Sequence, residues 1–140
     1  MLRVHAKLMR QLDTDLAAGH GLSLSAYEVL LFLADAPGGR MRMAQLADSV
    51  LLSRSGLTRL ADRLERAGLV EREPCPSDQR GFNALITDRG RELFASARQT
   101  HLGGVRKHFL SHFSEEDLRT LGGFWERVRP GAADTRDAAR

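Results

Sequence analysis

The sequence predicts a mainly α-helical chain that carries one small β-hairpin. Three observations predict it. Apolar residues recur at spacings of three, four and seven over most of the 140 residues, which is the period of an amphipathic helix. That period gives way to short alternating runs only between residues 69 and 86. The helical stretches are bounded by capping residues on one side and by glycine or proline stops on the other.

Composition bounds the rest. Hydrophobic residues at 42% and charged residues at 28% fit a folded domain and exclude a disordered tail. The length fits one domain with arms and excludes a large multi-domain enzyme. No run approaches the roughly 18 apolar residues of a membrane helix. Residues Met1 to Lys7 carry no continuous apolar segment of the kind that heads a secreted chain, so no membrane partner is expected. The single cysteine, Cys75, forms no internal disulfide, and a cytoplasmic location is expected.

Residues 2–18 read as a helix, with Leu2, His5, Met9, Leu12 and Leu16 on one side and Gly19-His20-Gly21 as its stop. Ser25-Ala26-Tyr27-Glu28 reads as a capping box opening a second helix to about Ala36, closed by Pro37-Gly38-Gly39. A short helix follows at Met43–Ser49. After a break at Leu51-Leu52, Ser53 reads as the N-cap of a longer helix, 54–67, whose apolar stripe is Leu57, Leu60, Ala61 and Leu64. Gly68 ends it. Residues 69–73 and 82–86 read as two strands, joined by Cys75 to Gly81 as a long loop. Thr87-Asp88 caps a helix from about 88 to 111. Its Gly103-Gly104 pair implies a kink or a close helix contact, because each glycine costs about 1 kcal/mol relative to alanine. Ser114 caps a last helix, stopped by Pro130-Gly131.

Short helix, turn, capped helix, then hairpin is the order of a winged helix-turn-helix. The net charge of +3 supports it by its placement. Between Arg40 and Arg91 there are ten arginines and seven acids, while the remaining residues balance. Lys7 and Lys107 are the only lysines, and arginine's planar fork suits phosphates and guanine edges. With its stripe turned inward, the helix after Ser53 presents Arg54, Ser55, Thr58, Arg59, Asp62 and Arg63. Those residues are the donors and acceptors a major-groove helix needs. Ser53 and the first-turn amides suit a phosphate. At the hairpin tip, Arg80 is placed to enter a narrow minor groove, with Asp78 to orient it and Gly81 to let the backbone close in. Arg63 and Arg42 are expected on phosphates.

The run from Leu52 to Arg72, the wing residues Ser77-Asp78-Gln79-Arg80-Gly81 and the helix opening Leu85-Ile86-Thr87-Asp88-Arg89-Gly90 together resemble the MarR family of transcriptional regulators. Ile86 stands where the family pattern has leucine. The resemblance covers nearly the whole chain and implies a homodimer, built by the first and the last two helices, on a pseudo-palindromic duplex. The expected partition is 1–36 for the N-terminal helices, which dimerise and support the winged domain. The winged core follows at 37–87, then C-terminal dimerisation helices at 88–129 and a flexible tail at 130–140. Phe94, Phe109, Phe113, Phe124 and Trp125 supply more large apolar surface than one small domain needs, which independently points to a partner. The family also implies release by a small effector, commonly phenolic or anionic aromatic. The implied pocket residues are His5, Met9, Leu12, Tyr27, Leu30 and Leu31.

Other chemistries are weaker. Cys75 is a candidate thiol sensor, with Arg72 and Arg80 near in sequence to lower its pKa. His101, His108 and His112 have helical spacing for zinc but no evident fourth ligand, so neither a metal nor another cofactor is assigned. Catalytic motifs are absent from the sequence, and no enzyme activity is expected. The alternatives are a thiol- or metal-responsive regulator of the same fold, or a winged-helix adaptor that binds protein instead of DNA.

Overall fold

The computed structural model describes residues 2–76 and 78–128, and of residues 78–80 the backbone alone. The expected tail at 130–140 lies outside the described residues. The elements are α1 (Leu2–His20), α2 (Leu24–Asp35), β1 (Arg40–Arg42), α3 (Met43–Ser49), α4 (Arg54–Arg66), β2 (Val70–Cys75), β3 (Asp78–Ile86), α5 (Asp88–His108) and α6 (Glu115–Val128). Single 3-10 turns lie at Pro37–Gly39 and Leu110–His112. Among the described residues no single helix is long and apolar enough to cross a membrane.

One apolar core joins the helical and sheet segments. Leu16 of α1, Val29, Leu30 and Leu33 of α2, Leu46 of α3, Leu57 of α4 and Val70 of β2 are fully buried in it. The stripe expected on α4 is the buried one, Leu57, Leu60, Ala61 and Leu64. The helix starts where a side chain satisfies its first amides: Ser53 Oγ accepts from the Gly56 N–H at 3.1 Å. Thr87 does the same for α5, accepting from the Gly90 N–H at 3.0 Å. Its hydroxyl also donates to the Gly68 carbonyl at 2.7 Å, tying the start of α5 to the end of α4.

The structure departs from the sequence-based expectation in four places. The cap of α2 is Ser23, not Ser25. Ser23 Oγ accepts from the Ala26 N–H at 3.1 Å, and Asp13 Oδ1 takes the Leu24 N–H at 2.7 Å. Buried Leu22 anchors the linker so close to α1 that the helix begins two residues early. A third strand, β1, pairs antiparallel with β3 in the sheet order β1-β3-β2, with Met41 opposite Ala84. Three residues are too few to show an alternating pattern. The hairpin is longer than expected, because β2 runs to Cys75 and β3 begins at Asp78. Cys75 and the residues from Asp78 to Gly81 thus belong to the strands and not to a loop. An irregularity between Pro74 and Cys75 accommodates the proline's missing N–H in the ladder.

The last departure is α5, which runs through Gly103-Gly104 and ends at His108, three residues early. Of the two glycines, Gly104 marks a close approach. A β-carbon at Gly104 would lie 2.9 Å from Leu12 Cδ2 and 3.2 Å from Asp15 Oδ2, so α1 and α5 meet there backbone to side chain. Beyond α5, Ser114 caps α6 as expected, with Ser114 Oγ accepting from the Asp117 N–H at 3.2 Å. α6 buries none of its residues within the protomer.

Candidate nucleic-acid interface

The exposed face of α4 carries Arg54, Ser55, Thr58, Arg59 and Arg63. Its local bonds organise the helix and leave the charges outward. Thr58 Oγ1 donates to the Arg54 carbonyl at 2.9 Å, Arg59 Nε reaches the Ser55 carbonyl at 3.4 Å, and Ser53 Oγ lies 3.3 Å from Ser55 Oγ. Among the described residues none of Arg54, Arg59 and Arg63 takes part in an ion pair. A helix that turns three guanidinium groups to solvent, with no acid to neutralise them, is built to meet an anion.

The angle of α4 on the sheet is held by Arg72, a residue the sequence did not single out for this role. Arg72 Nη2 meets Asp62 Oδ1 at 2.8 Å, and Nε meets Glu65 Oε2 at 3.0 Å, with Nη2 on the same Glu65 oxygen. The Glu65 hydrogen bond comes first among the causes that hold the Arg72 guanidinium above its ordinary pKa. Asp62, expected on the outer face with the arginines, is thus turned with Glu65 toward Arg72 of the sheet, and neither acid pairs with the arginines of that face.

At the end of β1, Arg42 Nη2 lies 3.2 Å from the sulfur of buried Cys75. Arg72, expected near that thiol, is committed to α4 instead. Arg40 pairs with Glu73 at 3.0 Å. Between α3, α4 and the wing lies an open cleft of about 530 Å³, lined by Arg42, Met43, Arg54, Thr58, Arg72, Gly81 and Phe82 among others. The side chains of Asp78 and Arg80 lie outside the described residues, but their backbone places them in β3, next to the tip.

The residues expected to form an effector pocket are distributed differently. Leu12, Tyr27 and Leu30 are buried, Met9 and Leu31 are half-buried, and His5 is exposed. Tyr27 stacks on His101 with ring centroids 4.5 Å apart, and Phe94 lies 5.6 Å away. Burial raises the Tyr27 phenol above its ordinary pKa and lowers the His101 imidazole below its own. The histidines do not converge. His108 bonds Asp15 at 2.9 Å, His20 meets Thr100 at 2.8 Å, and His112 is exposed. Among the described residues no group of three or more His, Cys, Asp or Glu is placed to hold a metal. A second cleft, about 480 Å³, lies between α1 and the end of α5, with Val4, Lys7, Leu8 and Phe109 in its walls.

A profile of the MarR family matches residues 20–81. Over 93 residues the chain is 33% identical to the HTH-type transcriptional regulator PecS of Dickeya dadantii, covering 66% of this chain and 55% of that relative's length. It is 26% identical over 126 residues to the HTH-type transcriptional repressor YetL of Bacillus subtilis, covering 88% of this chain and 75% of YetL. Among solved structures it is similar to AbsC, a MarR family transcriptional regulator from Streptomyces coelicolor. There the identity is 36%, the coverage 95% of this chain and 86% of AbsC, and the TM-score 0.81. It is also similar to Sco3205, a MarR family regulator of the same organism crystallised in complex with DNA. That likeness has 34% identity, covers 93% of this chain and 81% of Sco3205, and has a TM-score of 0.85.

Proposed function

We propose, for a chain that belongs to the MarR family of DNA-binding transcriptional regulators, that it works as a homodimeric repressor released from its operator by a small ligand. The family is one of transcription regulators and not of enzymes. The observation that carries the DNA contacts is the outer face of α4, where Arg54, Arg59 and Arg63 have no ion-pair partner among the described residues. In this reading Arg54, Ser55, Thr58 and Arg59 read base edges in the major groove, and Ser53 adds a first-turn contact. Arg42 and Arg63 meet phosphates. Arg80, oriented by Asp78, enters the minor groove where Gly81 lets the wing come close. Repression has the support of the named repressor among the relatives.

The dimer has the support of α6. Phe124, Trp125 and Val128 are 53%, 47% and 75% exposed on a helix none of whose residues is fully buried in its own protomer. Such a surface stays soluble by being covered, and a second copy presenting α1, α5 and α6 covers it symmetrically. Two copies of α4 then address a pseudo-palindromic duplex, and a cytoplasmic location belongs to the same reading.

A phenolic or anionic aromatic effector fits the cleft beside α4 chemically, with Arg54 and Thr58 for the anion and Met43 and Phe82 for the ring. A ligand there competes with DNA for the same two polar side chains. The family-implied set, His5, Met9, Leu12, Tyr27, Leu30 and Leu31, is the other candidate.

A mobility-shift titration tests the DNA reading. Arg59→Ala is expected to cost about 1–3 kcal/mol and to relax base preference. Arg80→Ala is expected to weaken binding to every duplex and to lower the salt slope by about 1. Unchanged affinity in both variants would remove α4 and the wing from the interface. Adding phenolic acids to the same titration tests release, and comparing Thr58→Val with Tyr27→Leu separates the two pockets.

A further inference from the structure

Among the described residues five adopt a left-handed backbone, and four of them are Gly21, Gly38, Gly39 and Gly68. The fifth is Leu51, at φ 54°, in the turn that joins α3 to α4. The hydrogen bonds around it are those of a helix C-cap. The Val50 N–H donates to the Leu46 carbonyl and the Leu52 N–H to the Ala47 carbonyl, both at 3.0 Å. The end of α4 is built in a similar way, with the Leu69 N–H on the Leu64 carbonyl at 2.9 Å, and there the left-handed position holds Gly68 at φ 72°. Glycine or asparagine is the usual occupant, because a β-carbon at that angle crowds the next carbonyl.

Leucine gains nothing in return inside the protomer. The residue is 92% exposed, the highest value of any exposed large apolar residue described. Two costs, an unfavourable backbone and a bare apolar side chain, therefore coincide at one position. Strain that internal packing does not offset points to a contact outside the chain. The place says which contact. Leu51 lies two residues before Ser53, the N-cap of α4, at the end that carries Arg54 and Ser55. It is thus separate from the apolar surface of α1 and α6. The N-terminal end of a recognition helix is the part that meets base edges. The apolar group that B-DNA offers in the major groove is the thymine 5-methyl.

We propose that Leu51 is a specificity-determining residue, held by the α3–α4 turn so that its side chain packs against a thymine 5-methyl group beside the α4 N-terminus. The proposal rests on the DNA-binding reading of α4. The test compares the full chain with Leu51→Gly and Leu51→Asn. The probe is a duplex selected from a random pool by the unsubstituted protein, then the same duplex with each thymine replaced in turn by deoxyuridine. Both variants should melt higher, since both residues tolerate the left-handed angle. Both should bind the selected duplex about fourfold more weakly, the loss expected for one buried methyl group. One thymine-to-deoxyuridine change should weaken the unsubstituted protein by a similar factor and leave Leu51→Gly unaffected. Unchanged affinity in the variants overturns the proposal, as does equal sensitivity of all three proteins to every deoxyuridine. A drop in melting temperature also overturns it, because Leu51 would then be internal support. If the unsubstituted protein selects no duplex, the DNA-binding reading itself fails, a result distinct from failure at Leu51.

Discussion

Gly103 and Gly104 are neighbours on α5, yet alanine is expected to have opposite effects at the two positions. Replacing a helical glycine by alanine gains about 1 kcal/mol of helix propensity. At Gly103 a β-carbon meets nothing within 4 Å, so that gain should appear in full. At Gly104 the new carbon would sit 2.9 Å from Leu12 Cδ2, where carbon contacts are comfortable only at about 3.5–4.0 Å. Leu12 is buried and has little room to turn away. The Asp15 carboxylate, 3.2 Å from the same point, is fixed by His108 at 2.9 Å and Gln11 at 3.1 Å. Overpacking of this kind costs about 1–3 kcal/mol, which exceeds the propensity gain and leaves Gly104→Ala destabilised by about 1 kcal/mol. The two variants should then differ by about 2 kcal/mol, or about 4–10 °C in Tm for a chain of this size. Urea unfolding at equal protein concentration measures the difference, the concentration being held because assembly adds to apparent stability. If both alanines stabilise equally, α1 and α5 do not meet at Leu12 and Asp15, and the reasoning is wrong.

Burial that lowers the His101 pKa makes stability depend on pH. The unfolded chain takes up a proton near its ordinary value of 6.5, the folded chain only at lower pH, so stability is full above 6.5 and falls as pH drops through that window. The Tm of the parent protein should decline from pH 8 to pH 5 more steeply than that of His101→Phe, which keeps the stack on Tyr27, and equal slopes would refute the assignment. Thr87→Ala removes both the α5 cap and the bond to the Gly68 carbonyl and should cost about 1–2 kcal/mol in urea unfolding, with DNA affinity kept at temperatures where the variant is folded. Trp125→Glu puts a charge into the exposed stripe of α6 and should shift the protein toward monomer in gel filtration. An unshifted dimer would move the interface elsewhere.

Much of the fold was legible because helices announce themselves locally. The stripe of α4 and its cap at Ser53 can be read in one window of sequence, and so can Thr87 and Ser114. Strand β1 could not, since three residues carry no period and exist as a strand only through β3. The extent of the hairpin is hidden for a related reason: polar composition argues for a loop only when no partner strand is near, and β2 supplies one. Ser25 lost the cap to Ser23 because Leu22, buried between two helices, set where α2 begins. Among the site residues, the outward set on α4 followed from the inward one by helix geometry, except Asp62, which Arg72 of β2 engages. The partners of Arg42 and Arg72 did not, since sequence distance says nothing about which thiol or carboxylate a long side chain will reach.

The sequence by itself determined that a basic, capped helix stands before a hairpin in a chain otherwise balanced in charge, since periodicity, capping and charge are properties of neighbours. Only the tertiary structure decided that Arg72 binds the two acids of α4, leaving Arg54, Arg59 and Arg63 unneutralised. It also decided that Gly104 is a contact and not a kink, and that Leu51 occupies a left-handed turn with its side chain bare. These are matters of what meets what across the fold. Such meetings depend on distances of a few ångströms between residues tens of positions apart, and no local pattern encodes them.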